Sequence, residues 1–256
     1  AITKIKKHRW PGNIRELENV IQRGITMATG SLIQENDLGL DNGRISNEDP
    51  DELLLSKLQE NGFEVIFLNV DTEGLINLEE LEKELQTPTL LTSILFVNNE
   101  IGVIQPIEQI GQLCKKYNSF LHTDAAQAVG KLDIDVHALG IDALSISGHK
   151  LYGPKGIGIL YVSAEARLKM QPLFDGGGQE KELRSGTLPT PLCVGIGEAI
   201  TLSCAEKGKS NETIKSLRDD LISSLSQSIS DLKINGSMSK SINQTTARRP
   251  DGRRLY

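Results

Sequence analysis

Three apolar runs in the chain each hand over to polar residues able to do chemistry. ILFV leads to Asn98, Asn99 and Glu100, and FLHT leads to Asp124 with Gln127 close behind; ALSIS leads to Ser147, His149 and Lys150, followed by the glycine-rich GPKGIG. An amine drawn out of water gives up its proton more readily and becomes a nucleophile toward carbonyl carbon. A nearby carboxylate can keep a heterocyclic nitrogen protonated, while amide, hydroxyl and imidazole groups donate to oxyanions and phosphate. Amine, carboxylate and donors together suit pyridoxal phosphate, with Lys150 as the attaching amine and Asp124 against the ring nitrogen. Spacing alone leaves a plainer alternative open, in which Lys150 is a surface amine and Asp124 a helix cap.

These groups converge only if the runs are strands with their carboxyl ends on one side. From Asn61 onward, FEVIFLNV, TSILFVNN, SFLHTDAA, DALSISGH and GIGILYV alternate with helical patterns such as NLEELEKELQ and PIEQIGQLCKKY. The runs are continuous rather than alternating, which predicts an α/β fold with a mostly parallel sheet, buried on both faces and flanked by helices. Ligands of such sheets bind beyond the carboxyl ends of the strands. CVGIGEAITLSCAEKG and ETIKSLRDDLISSLSQSISDL read as two further long amphipathic helices, and the last twenty residues show no periodicity and are expected to be loose.

The bulk properties narrow the class. A chain of 256 residues with net charge −6 argues against a generic nucleic-acid binder, although basic residues gather at both ends. Cys114, Cys193 and Cys204 form no close pair and no metal-like spacing, so a reduced, cytoplasmic protein is expected, with all three thiols in the core. No signal peptide or spanning segment is evident. His122, Asp124 and His149 lack the compact spacing of a zinc motif, so no metal is expected. GPKGIG lacks the Walker pattern and reads as a tight turn into a strand.

Longer motifs add a resemblance. VNNEIGVIQPI, HTDAAQAVGKLDIDVHALGIDALSISGHKLYGPKGIGILYV and DGGGQEKELRSGTLPTP occur in order and resemble the middle of cysteine desulfurases, members of the class V aminotransferase family, over about residues 53–236. The resemblance implies the large domain of the fold type I transferases that depend on pyridoxal 5'-phosphate, here partial and preceded by a small α-helical segment. It implies that Lys150 attaches the cofactor and moves protons, that Asp124 pairs with the pyridine nitrogen, and that Asn99 and Gln127 approach the phenolic oxygen. Ser147 and His149 would bind phosphate, and Thr187 of RSGT would reach the phosphate of a second subunit in a homodimer. The implied substrate is L-cysteine, converted to alanine with sulfur passed on through an enzyme persulfide to acceptor proteins in iron-sulfur or thiolation pathways. The family has a histidine before its glycine run where this chain has Asp175. Its first phosphate loop, stacking histidine, small domain and cysteine loop have no counterpart in the sequence, so a truncated chain not competent for full turnover is expected.

Residues 1–40 carry a different resemblance. HRWPGNIRELENVIQRGITMATGSLIQENDL looks like the end of the AAA+ module of enhancer-dependent bacterial transcription activators, in which the position of Arg15 senses nucleotide; no Walker elements accompany it. The expected organisation is a helical fragment over residues 1–40, a linker over 41–52, the desulfurase-like part over 53–236 and a loose tail over 237–256. The alternative reading is a regulatory or interaction fragment of an activator fused to a degenerate α/β scaffold.

Overall fold

The computed structural model describes residue 5 and residues 58–173, 175–242, 246–248 and 254–255. The expectations for residues 6–52, Arg15 among them, lie outside the described residues. The chain divides into two compact units, residues 1–67 and 68–256. In the described part of the first, a short helical stretch at 58–60 ends in a turn at Gly62.

The second unit is built on a four-stranded sheet in sequence order. Helix α1 (Leu78–Leu85) begins where Asn77 Oδ1 accepts from the Glu79 and Glu80 amides, satisfying two of the donors a helix start leaves open. Strand β1 (Leu91–Leu95) follows, then helix α2 (Ile107–Lys116), β2 (Phe120–Asp124), β3 (Ala143–Ser147) and β4 (Gly158–Val162). β1, β2 and β3 are mutually parallel and β4 closes the row antiparallel. The mostly parallel sheet predicted from the sequence is present.

α2 buries Ile107, Ile110, Gly111 and Cys114, the 3.6-residue stripe that its sequence carries. They join Leu121, Phe96, Val97, Ala125, Ala128 and Leu144 in the core. Gly111 is there for closeness: a Cβ would sit 2.1 Å from the Leu139 carbonyl oxygen. The connection from β2 to β3 is a series of turns rather than a helix, held by Leu139 N to Asp135 O and Ile141 N to Val136 O. A four-residue helix α3 (Ala164–Arg167) follows β4.

Four expectations are corrected. FEVIFLNV forms no strand; among the described residues only Val70 bridges, to Ile76, while Phe63, Ile66 and Phe67 are exposed, because β propensity without a neighbouring strand leaves backbone groups to water. The sheet is not buried evenly: along β2, Leu121 and Thr123 are fully buried and Phe120, His122 and Asp124 half-buried, so one face carries the core. The two late helices are one, α4 (Thr190–Ser228), since Gly208 costs only about 1 kcal/mol in a helix of this length. The tail contains strand: β6 (Thr246–Arg248) and β7 (Arg254–Leu255) pair antiparallel with each other, and β6 pairs with β5 (Lys233–Asn235), which lies just before the tail.

Candidate active site

Parallel pairing brings the carboxyl ends of β1, β2 and β3 to one side. Leu95 pairs with Asp124 and Asp124 with Ser145, so Asn99, Gln127 and Ser147 all lie a few residues beyond one level of the sheet. β1 hands over through two bonds, Phe96 N to the Asp124 carbonyl and Gln105 N to the Phe96 carbonyl. Asn98 then turns the chain, its Oδ1 accepting from the Glu100 and Ile101 amides, and Asn99 is exposed.

Asp124 is half-buried, and its Oδ1 accepts from the Ala126 amide at 2.8 Å. This contact closes a turn rather than capping a helix, because residues 126–131 form turns, and it employs Oδ1 alone. Two positions upstream on the same strand, His122 accepts or donates through Nδ1 to Ser93 Oγ at 2.8 Å. Burial holds this imidazole below its ordinary pKa, and the Asp124 charge offsets part of that.

Past β3 the chain winds into a 3₁₀ turn, Gly148–Leu151, that presents Lys150. Ser147 Oγ and His149 Nδ1 are 3.0 Å apart, so hydroxyl and imidazole act as a pair. Both His149 and Lys150 are exposed, whereas Gly148 and Leu151 on either side are buried. The turn is anchored from behind: a Cβ on Gly148 would lie 2.9 Å from the Pro154 carbonyl oxygen, and one on Gly195 of α4 would lie 2.6 Å from Pro154 Cγ. Gly156, at φ +84°, supplies the left-handed residue that turns GPKGIG into β4.

Gln127 is 9% exposed, and Lys131 Nζ donates to its Oε1 at 2.9 Å. Lys131 is itself half-buried, and burial first and the Lys150 charge second push its pKa down. The two ammonium groups are thus near enough to repel. Lys131 had no place in the sequence reading; its spacing of four from Gln127 was the available signal. Thr187 is exposed and follows a turn in which Glu180, Lys181 and Glu182 all take positive φ. The thiols are not all in the core as expected: Cys114 is buried, but Cys193 on α4 is half-buried and Cys204 exposed. A helix with a weakly amphipathic pattern gives thiols no fixed face.

A carboxylate, two amines, an imidazole, a hydroxyl and an amide at the carboxyl edge of a parallel sheet make a predominantly cationic donor set. Its chemistry fits a phosphorylated heterocycle with a reactive carbonyl. The aminotransferase class-V family model matches residues 53–248. The chain belongs to that family. The AAA+ ATPase lid domain model matches residues 1–52, a loose counterpart of the activator resemblance.

A mitochondrial cysteine desulfurase of Eremothecium gossypii is 51% identical over 180 residues, covering 70% of this chain and 36% of that one. Among solved structures, a NifS-like protein superposes with TM-score 0.73 at 35% identity, covering 80% of this chain and 57% of the other. A structure titled SspA in complex with cysteine superposes with TM-score 0.66 at 33% identity, over 90% of this chain and 62% of that one. The chain therefore spans little more than a third of the length of that curated relative. The fold is the expected type I α/β architecture, and the cofactor of the class V family is pyridoxal 5'-phosphate. No helix among the described residues is long and apolar enough to cross a membrane.

Proposed function

We propose that the chain carries the cofactor-binding part of a cysteine desulfurase acting on L-cysteine. The observation that carries this reading is the placement of Lys150 in a buttressed turn beside the β2 end bearing Asp124, within a class V domain. About 50% identity to a cysteine desulfurase and a superposing structure with cysteine support the substrate class. A homodimer, in which exposed Thr187 serves a second copy, and delivery of sulfur to acceptor proteins belong to the same proposal. So does a division of the chain near residue 52, between the two family matches.

Pyridoxal phosphate supplies a carbonyl for amine attachment and a ring that accepts electrons. The chain's residues do the rest. Asp124 offers its second carboxylate oxygen to hold a proton on the ring nitrogen. The Ser147 and His149 pair donates to phosphate, and Gln127 and Asn99 donate to the ring oxygen. Lys150 would supply the amine that attaches the cofactor, and as a free amine it would be placed to take and return a proton.

The thiol that would accept sulfur is the weak point. Burial raises the Cys114 pKa and hides its Sγ, and Cys193 and Cys204 sit on a rigid helix. The chain is expected to bind pyridoxal phosphate yet release no sulfide from L-cysteine above the level of free cofactor. A colorimetric sulfide assay checks this. Release that saturates in cysteine and is abolished by Cys193→Ser or Cys204→Ser would overturn it.

A further inference from the structure

Lys131 is a half-buried ammonium whose hydrogen bond runs to an amide, and among the described residues no carboxylate forms an ion pair with it. Its backbone is pinned from α4: Asn211 Nδ2 donates to the Lys131 carbonyl at 2.9 Å, and a Cβ on neighbouring Gly130 would lie 2.7 Å from Ser203 Cβ. The Lys131 amide also closes the turn onto Ala128 O. The backbone that carries the side chain is thereby fixed, and Nζ is placed by its bond to Gln127 Oε1.

An ammonium has donors and no acceptor, so the atom of Gln127 that meets it must be the carbonyl oxygen. That removes the ambiguity of an amide, whose two ends otherwise exchange freely. With Oε1 committed to Lys131, Nε2 faces the other way as a donor. Gln127 is too buried for water to impose such an order. A half-buried cation paired only with a neutral amide, and repelled by Lys150, costs stability.

We propose that Lys131 is a positioning residue that locks the Gln127 side-chain amide with Nε2 directed as a donor to the ring oxygen of pyridoxal phosphate. The direction of donation rests on the proposed cofactor site, whereas the lock itself is a property of the chain alone. Removing the lock lets the amide turn its oxygen toward an anionic ring oxygen, which repels.

Two measurements on the full chain separate these levels. Without cofactor, ¹H–¹⁵N spectra report the Gln127 side-chain amide, assigned by its loss in Gln127→Ala. Lys131→Met is expected to shift this pair and speed its hydrogen exchange, and Lys131→Arg to restore it. With pyridoxal phosphate, Lys131→Met is expected to raise the dissociation constant about five-fold, the size of one net hydrogen bond. The increase should vanish in the Gln127→Ala background, since Lys131 acts through Gln127. An unmoved amide pair in a folded Lys131→Met overturns the lock whether or not cofactor binds. A moved pair with equal Lys131→Met effects in both backgrounds overturns the role through Gln127. A moved pair in a chain that binds no cofactor overturns the cofactor reading and with it the direction of donation.

Discussion

His122 shows how a residue near the site couples to stability without touching substrate. Its imidazole is held below the ordinary value of 6.5, chiefly by burial. The unfolded chain therefore binds a proton more readily than the folded one as pH drops below about 6.5, and stability falls with pH through that window until the folded-state value is passed. Thermal unfolding between pH 7 and 5 should show this slope, and His122→Gln, which keeps a polar partner for Ser93, should flatten it. An unchanged slope would mean that other groups carry the acid sensitivity. At this scale the sequence was informative about position: Asp124 and Ser147 end their strands and Lys150 follows within one turn, as the apolar runs implied. It was silent on Lys131, whose significance comes from burial, and misleading on Cys204, whose helical position does not fix its exposure.

At the scale of elements, Lys150 depends on a turn with no room to move. Gly148 begins that turn, and its amide donates to the Ile157 carbonyl while its own carbonyl accepts from Gly153 N. A Cβ there would press on the carbonyl oxygens of Pro154 and Ile157, at 2.9 and 3.1 Å, and neither is a flexible side chain. Gly148→Ala is therefore expected to cost about 1–3 kcal/mol in urea denaturation and to weaken attachment of pyridoxal phosphate to Lys150. Wild-type stability with full attachment would contradict the anchoring account. α2 was legible because it buries the face its apolar pattern presents, and β2 and β3 because Leu121 and Leu144 of their apolar runs enter the core, whereas β1 buries Thr92 and leaves Leu91 and Leu95 exposed. FEVIFLNV was not: a β-branched run becomes a strand only when a partner edge is beside it. The continuity of α4 was also hidden, because Gly208 and the polar residues around it read as a break while local hydrogen bonds carry the helix through.

Over the whole molecule, two family likenesses meet near residue 52, and every residue assigned to the candidate site lies on the class V side. Removal of residues 1–52 is accordingly expected to leave the affinity for pyridoxal phosphate within about two-fold of the full chain, read by fluorescence titration. A larger loss would show that the AAA+ lid-like segment contributes to the site. Topology was the feature most easily anticipated, since parallel strands need long connections and the sequence spaces its runs accordingly. The antiparallel β4 and the small β5 to β7 sheet were not foreseen, because strand direction and short unpatterned strands leave little trace in periodicity.

The central claim is that Lys150, among the chain's many lysines, is the amine that takes pyridoxal phosphate. Borohydride reduction of the full chain after incubation with pyridoxal phosphate, followed by peptide mapping, tests it most directly. The account predicts one dominant phosphopyridoxyl adduct on Lys150, lost in Lys150→Ala. Label spread evenly over surface lysines, or labelling unchanged in Lys150→Ala, would contradict it.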